Sequence, residues 1–156
     1  MYEFDEPILF NYYLEKEIVR LTCFSSLSPP SMIKIEKIDD QVVVHKKDLN
    51  KYIANLYINN QEDYQIAIKS KEKQLEIIVD TIFPLHKEQF TKLMTLIDST
   101  KITNLIPFKN NVYGLDGADC ILEIHTKRGY YYIKRWNIQD IPSFQKIVDY
   151  IETMCQ

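Results

Sequence analysis

The chain has 156 residues, of which 46% are apolar or aromatic and 26% charged, and its net charge is −3. That length fits one domain with an ordinary core, and the composition excludes a disordered, collagen-like or solenoid chain. A nucleic-acid binder needs a basic face to neutralise phosphates; here the lysines are scattered among Asp and Glu, so no nucleic-acid partner is expected.

No apolar run approaches the ~20 residues that span a bilayer, so no membrane partner is expected. The acidic start, Met1-Tyr2-Glu3-Phe4-Asp5-Glu6, has neither the basic segment nor the apolar stretch of a signal peptide. Cys23, Cys120 and Cys155 are odd in number and widely spaced, without a CxxC pair. They read as three free thiols behaving as small buried apolar groups, which suits a reducing cytoplasm. No metal site and no cofactor are expected, and the chain is placed in the cytoplasm.

Residues 1–16 mix acids with Ile8, Leu9, Phe10, Tyr12, Tyr13 and Leu14, a pattern for a docked arm or short helix. Residues 17–24 are rich in apolar and β-branched types and predict a strand. Pro29-Pro30 breaks the chain. Ser31 to Ile38 and Gln41 to Lys47 predict two more strands around an Asp39-Asp40 turn, giving an antiparallel meander. In residues 48–63, Leu49, Tyr52, Ile53, Leu56 and Tyr57 fall at helical spacing with Asp48 as a possible cap, although the stretch ends in a turn-like cluster.

Tyr64, Ile66 and Ile68 alternate like a strand. Leu75 to Phe83 predicts another, ended by Pro84. Phe90, Leu93, Met94 and Ile97 then make the apolar stripe of a helix over about 86–98, with His86 at its start. Residues 99–118 are loop-like and contain Gly114 and Gly117, two of the three glycines, which implies a tightly shaped turn. Cys120 to His125 and Tyr130 to Trp136 predict a hairpin turned at Gly129. A closing helix follows, with Asp140 as cap, Pro142 in its first turn and a stripe of Phe144, Ile147, Val148 and Ile151. Strands do not alternate regularly with helices, so the expected class is α+β: one domain over 1–156, an antiparallel sheet with both helices on one face.

No HExxH, GxSxG, phosphate-cradling glycine loop or dinucleotide fingerprint occurs. Glu123 and His125 are two apart on a strand and share a face. They could form an acid/base or metal-binding pair, or simply face solvent opposite Leu122 and Ile124. Tyr130, Tyr132, Lys134 and Trp136 share one strand face, with Tyr131, Ile133 and Arg135 on the other. Whichever set lies outside offers the residue types that anchor protein interfaces, although strand propensity also favours aromatics.

The run Gly114-Leu115-Asp116-Gly117-Ala118-Asp119-Cys120-Ile121-Leu122-Glu123, followed by Gly129-Tyr130 and Arg135-Trp136, resembles a family of small uncharacterised bacterial proteins. Their pattern is roughly G-L-D-G-x-x-W-x-L-E, then G-x-Y and R-W-x-P before a helix. Cys120 stands where that family has an aromatic, and Asn137-Ile138 where it has Ser-Pro. The resemblance covers about two thirds of the chain, most clearly the last third. It supports the fold and implies no activity. Asp116, Glu123 and Arg135 match the polar positions of that pattern, and a structural role is expected for them: Asp116 holding the turn and Glu123 pairing with Arg135 across the hairpin.

Two functions follow as expectations. The first is a non-catalytic protein-binding module, such as a bacterial immunity or inhibitor protein that covers a partner toxin or effector, using a surface of Asp116, Glu123, His125, Tyr131, Arg135 and Trp136. The second is a small enzyme in which Asp116, Glu123, His125 and Arg135 converge in one pocket for acid/base work.

Overall fold

The computed structural model of the chain describes residues 4–11, 16–25, 28–50, 76–107 and 117–155. Within them, six strands form one antiparallel sheet: β1 (Glu17–Ser25), β2 (Ser31–Ile38), β3 (Gln41–Leu49), β4 (Ile77–Leu85), β5 (Ala118–Thr126) and β6 (Gly129–Trp136). Helix α1 (Lys87–Thr100) follows the meander, and α2 (Pro142–Met154) closes the chain. The spatial order is β4-β3-β2-β1-β5-β6. The hairpin therefore returns to the free side of the first strand. This is the α+β architecture that strands, helix, hairpin and helix in sequence predict.

Alternation sorts the sheet into two faces. Val19, Leu21, Ile33, Ile35, Val42, Val44, Leu122, Ile124 and Ile133 point to one side, where they form a buried cluster with Phe90, Leu93 and Ile97 of α1 and Phe144, Ile147, Val148 and Ile151 of α2. Each helix contributes the stripe that its spacing predicts. The helices also touch each other, where the Tyr150 hydroxyl donates to the Gln89 carbonyl at 3.3 Å.

Several boundaries differ from expectation for local reasons. β3 continues to Leu49, so Asp48 is a strand residue and caps no helix; the rest of that stretch, and the strand expected at Tyr64 to Ile68, lie outside the described residues. Pro84 lies within β4 instead of ending it; among the described residues β4 is an edge strand, and an edge can host a residue that lacks an N–H. Asp140 does not cap α2. Asn137, in a left-handed conformation with φ 49°, sends the chain into a short 3-10 turn at Ile138–Asp140, and Ile141 precedes the helix, whose start carries Pro142. His86 does begin α1: its N–H donates to Gln89 Oε1 at 3.3 Å.

The cysteines correct the expectation of three free thiols. β1 pairs with β5 so that Cys23 faces Cys120, and the two form a disulfide that closes 97 residues of chain. Cys155 is free, and burial pushes its thiol pKa up. A disulfide stabilises mainly by restricting the unfolded chain. Reducing it should cost about 4 kcal/mol, the high end of the usual range, because the loop that it closes is long. Thermal melts with and without reductant, read beside the C23A/C120A variant, test this; identical melting temperatures would contradict it.

Gly117 marks the other tight place. A Cβ there would stand 2.4 Å from Asn137 Oδ1 and 2.6 Å from Trp136 Cζ2. The glycine is needed for close approach to the Trp136 ring. Gly117→Ala should therefore cost about 1–3 kcal/mol by forcing that ring aside, visible as a lower denaturant midpoint and altered Trp136 fluorescence.

Candidate functional site

The sheet face turned away from the helices is lined quite differently. The register aligns Tyr132, Glu123, Arg20, Lys34, His45 and Ile82 in a single row across all six strands. Four neighbouring positions at the centre of this face are therefore ionisable. Arg20 is 0% exposed and Glu123 3%. Charged side chains are almost never this buried unless they are paired.

Their pairing is complete enough to explain the burial. Arg20 Nε donates to Glu123 Oε2 at 2.7 Å, and Arg20 Nη2 lies 2.7 Å from the same oxygen. The Tyr130 hydroxyl donates to Glu123 Oε1 at 2.7 Å. Burial, and then this bond to a carboxylate, push the Tyr130 pKa well up, so the phenol stays a donor. Arg20 Nη1 reaches the carbonyl of Pro7 at 2.8 Å.

Pro7 belongs to an N-terminal strap, residues 4–11, that lies over this face. Phe4 and Leu9 are buried. Phe4 packs with Met32, Leu49 and Phe24, its ring centroid 6.3 Å from that of Phe24. Glu6 is clamped between two lysines: Lys34 Nζ donates to Oε2 at 2.7 Å and Lys47 Nζ to Oε1 at 2.8 Å. Lys47 also donates to the Phe4 carbonyl at 3.0 Å. Burial opposes ionisation of Glu6, but the bonds and charge of Lys34 and Lys47 outweigh it and hold the carboxyl below the ordinary range. At the far end of the strap the Phe10 ring meets the Tyr130 ring edge-on, centroids 5.8 Å apart. The strap covers itself incompletely, since Ile8 is 50% exposed and Phe10 71%.

His45 stands in the same row, its Nε2 3.4 Å from Glu36 Oε2. Burial and the nearby Lys34 lower its pKa, against the pull of Glu36 and Glu6.

The residues singled out from sequence do not make one site. Asp116 lies outside the described residues. Glu123, His125 and Trp136 point to the strapped face, whereas Tyr131 and Arg135 point to the helical face. Tyr131 packs against the main core. Arg135 is 3% exposed and donates to the carbonyls of Pro107 and Ile106, tying the segment after α1 to the edge of β6. The cross-hairpin pair of Glu123 with Arg135 does not form, because residues 123 and 135 lie on opposite faces; Glu123 takes Arg20 instead. For the same reason the acid/base pocket expected around Glu123, His125 and Arg135 does not assemble from those three.

Sequence reasoning missed Arg20, Lys34, Lys47 and Glu6. One signal was available: Arg20 interrupts the apolar run Ile18-Val19-Arg20-Leu21 in the middle of a strand. Among the described residues, no group of three or more His, Cys, Asp or Glu could hold a metal ion, and no helix is long and apolar enough to cross a membrane. No protein-family model matches the chain, and no curated protein matches it.

Proposed function

We propose that the chain is a non-catalytic protein-binding module, that its binding surface is the strapped face of the sheet, and that it neutralises a toxin or effector in the manner of an immunity or inhibitor protein. The observation that carries this reading is the row of Glu123, Arg20, Lys34 and His45 beneath a peptide strap. A sheet face meant only as core would be apolar. This one is lined with charge and already holds a short segment of its own chain, residues 4–11. The toxin or effector partner is inferred from the kind of chain this is: small, mildly acidic and without a catalytic motif.

The test is an affinity pull-down of the tagged protein from its native source, followed by hydrogen exchange on any complex recovered. A stoichiometric protein that protects residues 4–11 and β1–β3 supports the reading. Recovery of no stoichiometric protein, or protection confined to α1 and α2, contradicts it.

A further inference from the structure

We propose that the groove under the strap is a binding site for a partner peptide carrying an aromatic-x-acidic pattern, and that residues 4–11 hold it shut as an internal stand-in for that peptide. The inference rests on the protein-binding reading and specifies the chemistry of its site.

The groove has two subsites with defined preferences. One is an apolar pocket of Met32, Leu49 and Phe24, filled by Phe4. The other is the Lys34 and Lys47 pair, filled by the Glu6 carboxylate. Their occupants are two residues apart across Asp5, whose backbone is left-handed with φ 52°, so the ligand is a short segment that turns between its two anchors. Arg20 adds a donor that reads the backbone through the Pro7 carbonyl and is blind to side-chain identity. Two lysines whose side chains are 10% and 11% exposed require an anion between them. Any ligand that replaces the strap must therefore bring its own carboxylate.

The strap is a replaceable occupant. Two of its large apolar side chains, Ile8 and Phe10, remain in solvent, so it forgoes burial that a better-fitting segment could use. Its advantage is tethering. A short tether gives an effective concentration on the order of mM, so a free peptide of the strap's own sequence, competing with it on equal terms, binds with an apparent Kd near that value. Opening the strap removes this handicap.

The experiment uses the full-length chain and a fluorescein-labelled peptide of its own strap sequence, Phe-Asp-Glu-Pro-Ile-Leu-Phe-Asn, followed by anisotropy. The F4A/E6Q chain, in which the strap lacks both anchors, should bind the peptide at least tenfold more tightly than the wild-type chain. Adding K34M/K47M to that background should abolish the gain; with Glu6 already neutral, this variant leaves neither Glu6 nor the two lysines as an unpaired charge. A labelled peptide with Gln in place of its Glu should bind at least tenfold more weakly. If circular dichroism shows that F4A/E6Q is unfolded, the Glu6→Gln chain carries the same comparison. Equal affinity of the wild-type and opened chains, or tight binding that survives loss of both lysines, overturns the proposal. A partner recovered by pull-down that protects this face while the peptide fails to bind would overturn the peptide motif and leave the protein-binding reading standing.

Discussion

Arg20→Met should lower stability by about 3–5 kcal/mol, the range for removing one member of a buried ion pair. Arg20 is fully buried and holds three things at once: the Glu123 carboxylate, the backbone of Pro7 and, through Glu123, the Tyr130 hydroxyl. Methionine fills the aliphatic part of the space and satisfies none of them. Glu123 would be left as a buried anion with only a phenol donor. The cost thus comes from the orphaned carboxylate more than from the lost attraction. A paired variant separates the two. R20M/E123L removes both charges, and the double variant should recover more than half of the loss, because two apolar side chains packed together need no partners. Denaturant midpoints of the three chains provide the measurement. A single-variant loss below about 1 kcal/mol would mean that water reaches Glu123 freely, as at an exposed pair. R20M should also loosen residues 4–11, since the strap loses its backbone anchor, and hydrogen exchange there would rise in R20M and stay raised in the double variant.

The layers of this fold were legible because they rest on local periodicity. The stripes at Phe90, Leu93 and Ile97 and at Phe144, Ile147 and Ile151 are contained within single helices, and the alternation of Leu122 and Ile124 within one strand. The arm or short helix expected over residues 1–16 is described at 4–11, where Phe4 and Leu9 are buried while Ile8 and Phe10 are exposed. The charged face was not legible, because its meaning is non-local. Arg20, Lys34 and Glu123 occupy alternate strand positions, and an alternating polar residue reads as solvent-facing whether or not something covers it. Arg20 and Glu123 are 103 residues apart, and only the β1–β5 register brings them opposite each other. The same register joins Cys23 to Cys120. That bond removes the support that three reduced thiols would give a cytoplasmic setting, since disulfides persist mainly in oxidising compartments. The partner of Glu123 is non-local in the same way. Arg135 is nearer in sequence and belongs to the same hairpin, but parity sends it to the other face, where the carbonyls of Ile106 and Pro107 take its donors.

Glu6→Gln should release the strap and cost about 3 kcal/mol, the low end of what breaking a buried pair costs. Glu6 is the shared anion of Lys34 and Lys47. An amide can accept from one lysine but cannot balance two charges. The chain has an escape that Arg20→Met lacks: the strap can lift and let water reach both ammoniums, so the cost is capped at the value of the strap's own contacts. The signature is therefore regional. Protease sensitivity and exchange should rise across residues 4–11 while α1 and α2 keep their protection. Acid should reproduce the effect in the wild-type chain. The folded Glu6 carboxyl lies below its ordinary value of 4.5, so its contribution is complete above that value and is lost as pH falls through the depressed one. His45 acts in the same direction. Its folded pKa lies below the ordinary 6.5, so the unfolded chain binds more protons between the two values, and stability falls as pH drops below 6.5. The wild-type chain should thus lose stability in two stages, first with His45 and then with Glu6. The E6Q chain should keep the first stage and lack the second. Melting temperatures of both chains from pH 8 to pH 3 decide it, and parallel curves would show that Glu6 does not carry the acid release of the strap.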